Sequence, residues 1–151
     1  MGLTKGSKQK LQIMQNKVIR FILKIGNRSH IGCSELEKVN MLSVGNRVKQ
    51  IELNHVYKIY MKTCPEYMSE DFDRISDTEL RNCTRANLNN FSIPRVKGNC
   101  TNAFFYSGIK AWNSLPTEIK QIQNESTFKD KVKRNIVFEA RTVETCPFLF
   151  F

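Results

Sequence analysis

Only one stretch of this chain alternates apolar and polar residues in the way a strand does: Phe91-Ser92-Ile93-Pro94-Arg95-Val96. It carries a proline, which has no N–H to give to a ladder and is confined to an edge or an extended arm. A single such segment cannot make a sheet. Elsewhere the apolar residues recur at three- and four-residue intervals, the spacing of one helix face. The chain is therefore expected to be mainly α, a small irregular helical bundle with one short extended segment around residues 91–97.

Ser7 to Ile25 reads as an amphipathic helix. Leu11, Met14, Val18, Phe21, Ile22 and Ile25 share an arc that should face a core. Lys10, Lys17 and Lys24 stand seven apart in a stripe beside that arc, with Arg20 next to it. Gly26-Asn27 supplies a stop. Ser34, with Glu37 three residues on, predicts a capped short helix. Ser43 predicts a second cap, opening a helix from Val44 to about Met61. Its apolar residues fall on two sides, Val44, Val48, Ile51, His55 and Ile59 against Leu53, Val56 and Tyr60. His55 on that apolar side reads as a hydrogen-bonded core histidine. Cys64 to Met68 reads as a helical turn opened by Pro65. A polar loop covers 69–90. Thr101 or Asn102 can start a helix through Phe104, Phe105, Ile109 and Trp112. Ser126 is expected to cap the last helix, Thr127 to about Ala140, with Phe128, Val132 and Ile136 as its stripe. Glu125–Lys129 and Asp130–Arg134 are i,i+4 pairs of favourable orientation. A length of 151 residues fits one domain. It divides into a flexible N-terminus at 1–6, a helical domain at 7–140 and an apolar tail at 141–151, which either docks or frays.

The hexapeptide AWNSLP, Ala111 to Pro116, holds the only tryptophan. It reads as architecture: Trp112 anchors a small core, Asn113 and Ser114 satisfy loose backbone groups, and Pro116 prevents the helix from continuing. The rival is a tryptophan stacked on a base. The apolar company of Ile109 and Leu115 favours burial.

The chain carries 24 Lys+Arg against 14 Asp+Glu, a net charge of +10. Such a balance calls for an acidic partner, most commonly nucleic acid. The charge is uneven. From Met1 to Lys62 twelve basic residues face three acids, Glu35, Glu37 and Glu52, whereas Glu66 to Glu79 holds six acids and only Arg74. The five cysteines are scattered without a CxxC pair. His30 and Cys33 alone do not make a zinc site. Scattered thiols, and no apolar stretch of secretory or membrane-spanning kind, lead to the expectation of an intracellular protein, cytoplasmic or nuclear, with no membrane partner. Asp71, Asp73 and Asp77 lack the glycine and closing glutamate of a calcium loop. Neither a phosphate-binding glycine loop nor a nucleophile–base pair is present by spacing. No enzymatic activity, cofactor, metal or small-molecule substrate is expected.

Several segments, in order, resemble one known pattern. Leu11-Gln12-Ile13-Met14-Gln15-Asn16-Lys17-Val18-Ile19-Arg20 is similar to a helix found after the polymerase domain in LINE-type non-LTR retrotransposon polyproteins of the jockey-like groups. Leu36 to Met68 resembles the segment that follows it there. Ile93-Pro94-Arg95, then Phe104 to Pro116 with its Trp-Asn-x-Leu-Pro ending, resemble a third block. Ser126-Thr127-Phe128-Lys129 to Lys133 resembles the closing helix. The similarity covers about residues 11 to 136. Ser43 stands where the family commonly has proline, and Met68 replaces a leucine. The paired carboxylates of a polymerase are missing, so the two-metal nucleotidyl-transfer site is absent.

The resemblance implies a non-catalytic, thumb-like C-terminal region of a reverse transcriptase polyprotein, an RNA-directed DNA polymerase. Two functions follow as expectations. In the first, the chain grips RNA or an RNA–DNA hybrid by its phosphates. Lys10, Lys17, Arg20, Lys24 and Arg28 would serve from the first helix, and Lys129, Lys131, Lys133 and Arg134 from the last. Trp112, Asn113, Leu115 and Pro116 would be structural. In the second, the chain has no autonomous activity and packs on a reverse transcriptase domain supplied in trans. Exposed basic stripes favour the first, and an exposed apolar patch the second.

Overall fold

The computed structural model describes residues 4–70, 72–77, 87–95 and 103–145. The chain is mainly helical. Six α-helices form among these residues: α1 (Lys5–Leu23), α2 (Cys33–Lys38), α3 (Val44–Tyr60), α4 (Phe104–Asn113), α5 (Thr117–Lys120) and α6 (Glu125–Thr145). Glu66–Met68 and Ile75–Asp77 each make one 3-10 turn. No strand is built among the described residues. The extended segment is reduced to one antiparallel bridge between Arg74 and Phe91. Val96 and Lys97 lie outside the described residues, as do Thr101 and Asn102.

Helix ends differ from the sequence expectation where backbone chemistry outweighs residue type. α1 begins at Lys5, inside the stretch expected to be flexible, because the Thr4 hydroxyl accepts from Ser7 N–H at 3.2 Å. It ends at Leu23, before Gly26. Lys24 takes the left-handed conformation, φ 53°, and Ile25 N–H reaches back to Arg20 C=O at 3.1 Å. α2 is capped from Gly32, not Ser34. The Glu35 carboxylate accepts from Gly32 N–H at 3.0 Å, and this bond holds the Glu35 carboxyl below the usual carboxylate range. Glu37 instead pairs with Arg141, whose hydrogen bond lowers its pKa. α6 starts two residues before Thr127, because Asn124 rather than Ser126 accepts from Thr127 N–H, at 3.1 Å. It runs on to Thr145, so 141–145 are helix rather than tail; 146–151 lie outside the described residues.

The chain forms two compact units, one drawn from 49–132 and the other from 4–48 and 133–145. The boundaries fall within α3 and α6. In the first unit an aromatic cluster makes the core. Trp112 is fully buried, with Tyr60 at 4.9 Å, Phe128 at 6.0 Å and Phe91 at 6.1 Å between ring centroids. Tyr57 stacks on Phe128 at 4.0 Å, and Leu53, Val56, Ile109 and Val132 are fully buried in the same unit. Burial keeps the Tyr57 phenol protonated to higher pH than usual. Gly108 is where α4 comes closest: a Cβ there would lie 2.9 Å from Val56 Cγ2. His55 is exposed, not buried. Its Nδ1 meets Ile51 C=O at 2.8 Å, and the ring sits edge-on to Phe104. α3 buries Gln50, Leu53, Val56, Tyr57 and Ile59, so Ile51 and His55 fall just beyond the covered arc.

The AWNSLP segment ties this unit together. Trp112 Nε1–H donates to Asn89 C=O at 2.9 Å. Asn113 bonds the Phe91 backbone twice, accepting from its N–H at 3.0 Å and donating to its C=O at 2.8 Å. The side-chain amide thus does what a neighbouring strand would do. Ser114 bonds Ala111 C=O, Leu115 is buried, and Pro116 opens α5. α5 buries Lys120, only 1% exposed, whose ammonium donates to Asn90 Oδ1 at 2.9 Å and Asn113 C=O at 3.0 Å. Desolvation lowers its pKa.

Candidate nucleic-acid interface

The second unit is organised around α1, whose circumference divides into three arcs. The covered arc is mostly polar. Ile19 is the helix's one buried residue, and beside it Gln12, Gln15 and Asn16 form a network. Gln12 Nε2–H bonds Gln15 Oε1 at 3.0 Å and Asn16 Oδ1 at 2.9 Å. Gln12 Oε1 accepts from Val44 N–H at 2.9 Å, and Gln15 Nε2–H donates to Leu42 C=O at 2.7 Å. Val44 N–H is one of the donors that the start of α3 leaves without a helical partner. Ser43 Oγ accepts from another, Asn46 N–H, at 3.3 Å. Gln12 and Ser43 therefore cap α3 together, while Gln15 satisfies the Leu42 carbonyl just before it.

The second arc carries the apolar residues that the sequence assigns to a core. They are exposed. Leu11, Met14, Val18 and Ile22 are between 43% and 64% accessible, and Phe21 is 85% accessible. The periodicity is real, but the helix turns its glutamine side inward. Those glutamines satisfy part-buried backbone groups that an apolar face would leave unpaired.

The third arc is basic. Lys10, Lys17 and Lys24 are exposed along it, and Arg28 is exposed just beyond the helix. None of the four side chains has a hydrogen-bond or ion-pair partner among the described residues. Arg20 does: its Nε and Nη2 donate to Ser29 C=O at 3.0 and 2.9 Å, fastening the turn after α1. No acid stands between Met1 and Ser34, so nothing local neutralises this edge.

The basic residues of α6 divide differently. Lys133, in the same unit as α1, bonds Asn40 Oδ1 at 2.7 Å, where it supports the bend before α3. Arg134 is exposed and makes no ion pair among the described residues; the expected Asp130–Arg134 pair does not form. In the other unit, Lys129 pairs with Glu125 at 2.6 Å, and Lys58 approaches the same carboxylate at 3.6 Å. The Lys129 bond holds the Glu125 carboxyl below its usual range. Lys131 is exposed and makes no ion pair among the described residues. Of the nine cations expected to bind phosphate, Arg20, Lys129 and Lys133 thus have structural attachments.

Sequence reasoning passed over several residues here. Gln12 and Gln15 look like solvated polar positions, and only the resemblance quoted above singled out their motif. Lys120 looks like any surface lysine. Arg74, the lone base of the acidic stretch, lies over the Tyr60 ring with 4.5 Å to its centroid and donates to Tyr60 C=O. Asp73 and Asp77 are exposed, and Asp71 lies outside the described residues. Among the described residues no cluster of three His, Cys, Asp or Glu is placed to hold a metal, and no helix is long and apolar enough to cross a membrane. Comparison of the chain with family models, with curated proteins and with solved structures finds no match.

Proposed function

We propose that this chain is a non-catalytic nucleic-acid-binding region that grips phosphates through the basic edge of α1. In the setting the resemblance suggests, it is a thumb-like part of a retrotransposon reverse transcriptase polyprotein, working inside the cell on RNA or an RNA–DNA hybrid. One observation carries the reading: the Lys10, Lys17, Lys24 and Arg28 side chains stand exposed, with no partner among the described residues, along one edge whose sequence holds no acid. When such an edge neutralises phosphates, the polyanion's condensed counterions are released to solution, which favours binding. Arg134, exposed in the same unit as α1, remains open to add to it.

Fluorescence anisotropy of the purified chain against single-stranded RNA, duplex DNA and an RNA–DNA hybrid, over a salt series, tests this. Binding should weaken steeply with salt. Replacing Lys10, Lys17 and Lys24 by alanine should flatten the log–log slope by about two for a single strand. A folded chain that binds none of the three at low salt removes the proposal.

A second reading rests on the apolar arc of α1. Its exposed Leu11, Met14, Val18, Phe21 and Ile22 suit a helix that lies against another protein body, here a reverse transcriptase domain. Co-purification with such a domain, abolished by Met14→Ser with Val18→Ser but not by the lysine changes, would favour it.

A further inference from the structure

We propose that Phe21 is a base-stacking platform, and that the ligand of α1 is a single strand whose unpaired bases reach this ring while its phosphates run along the lysines. The inference rests on the phosphate-binding reading above and names the form of nucleic acid that site takes.

At the C-terminal end of α1, Phe21, Ile22 and Ile25 line a shallow hollow together with Lys17, Arg20 and Lys24. Phe21 is the most exposed of the chain's large apolar side chains among the described residues, at 85%. Lys17 and Lys24 stand four residues before it and three after it, so both are its neighbours on the helix surface. An aromatic face flanked by two ammonium groups with no partner among the described residues suits a single strand, where phosphate and base alternate. A duplex keeps its bases stacked on one another and offers this ring nothing. Trp112 cannot serve, being fully buried. The hollow is also fixed in place: Arg20 holds Ser29 C=O, and the Lys24 backbone closes the helix in its left-handed turn. The two lysines flanking Phe21 are therefore positioned by a closed helix end.

The test compares labelled oligouridylate with a strand of equal length whose sites are all abasic. Both carry the same phosphates, and only the first carries bases. The wild-type chain should bind the oligouridylate about 5- to 150-fold more tightly than the abasic strand, the range of one stacked base. Phe21→Ala and Phe21→Leu should each abolish that ratio while leaving the abasic affinity and the salt slope unchanged. Phe21→Trp should restore it, with indole emission quenched by the oligouridylate and not by the abasic strand. Because the side chain is exposed, far-UV circular dichroism should be identical for all variants.

Equal affinity for the two strands, alongside a steep salt slope, overturns the stacking role and leaves phosphate binding standing. Absence of salt-dependent binding to either strand removes both. A blue shift of the Phe21→Trp emission on phosphatidylserine vesicles, with no response to the oligouridylate, overturns the proposal in favour of a lipid surface.

Discussion

α4 and α1 are both amphipathic by their residue spacing, yet they end in opposite circumstances. α4 has ten residues and buries Gly108, Ile109 and Trp112. α1 has nineteen and buries Ile19 alone. The difference lies in what each helix faces. α4 presents an aromatic residue to other aromatic residues, so its apolar side is the covered one. α1 faces the Leu42–Val44 link, which exposes a backbone carbonyl and an N–H. Two glutamines can satisfy those groups, and two leucines could not. An apolar stripe thus shows where a helix could be covered, while the partner's unmet hydrogen bonds decide which side is covered.

The comparison would break if the buried ring mattered no more than the exposed one. Trp112→Ala should cost about 3–5 kcal/mol and strand Asn89 C=O, read as the loss of urea midpoint by circular dichroism. Gly108→Ala should cost about 1–3 kcal/mol by overpacking against Val56. In combination with Val56→Ala the two losses should sum to less than their separate values, since each relieves the other.

Lys120→Met sharpens the contrast within the covered unit. Removing the ammonium leaves Asn90 Oδ1 and Asn113 C=O without their donor, at about 1–3 kcal/mol. The pH dependence has a definite sign. Lys120 has a lowered pKa in the fold and an ordinary one when unfolded. Between the two values the unfolded chain holds more protons, so wild-type stability from this group rises with pH. It is complete above the ordinary lysine value and lost as pH falls through the lowered one. The gap between wild type and Lys120→Met should therefore widen toward alkaline pH. Tyr57 titrates in both proteins and cancels in the difference.

On α1 the same measurement should respond to the glutamines and not to the apolar arc. Gln12→Ala should cost about 1 kcal/mol by uncapping Val44 N–H, and Gln15→Ala should couple to it, because the two amides are bonded. Phe21→Ser should change stability by no more than about 0.5 kcal/mol, as at an ordinary surface position.

This contrast also marks how far the residues could be read without coordinates. Helical content, the Ser43 cap, the Pro116 start and the break after Trp112 follow from local chemistry, and local chemistry is what a sequence displays. The burial of Lys120 and the exposure of Phe21 depend on which distant backbone groups lack partners, and no periodicity reports that. Lys24 shows the same limit at smaller scale: Gly26 is the obvious stop, but the carbonyls of the last turn are met two residues earlier. For the basic edge, spacing alone set Lys10, Lys17 and Lys24 in line. It could not show that Arg20 beside them would be tied to Ser29, or that Lys133 would be tied to Asn40.

Asn113 lends a helix the pairing edge of a sheet, and this has a consequence for amide exchange. Phe91 N–H is held by a side chain of α4, Ile75 N–H by Asn90 C=O and Ser92 N–H by Asp73 C=O. Three segments distant in sequence therefore release their protons through one opening event. Their slow-exchanging amides should share one protection free energy and one denaturant dependence, that of α4. Asn113→Asp, which keeps the acceptor and removes the donor, should lower that shared value while leaving the exchange of α1 untouched.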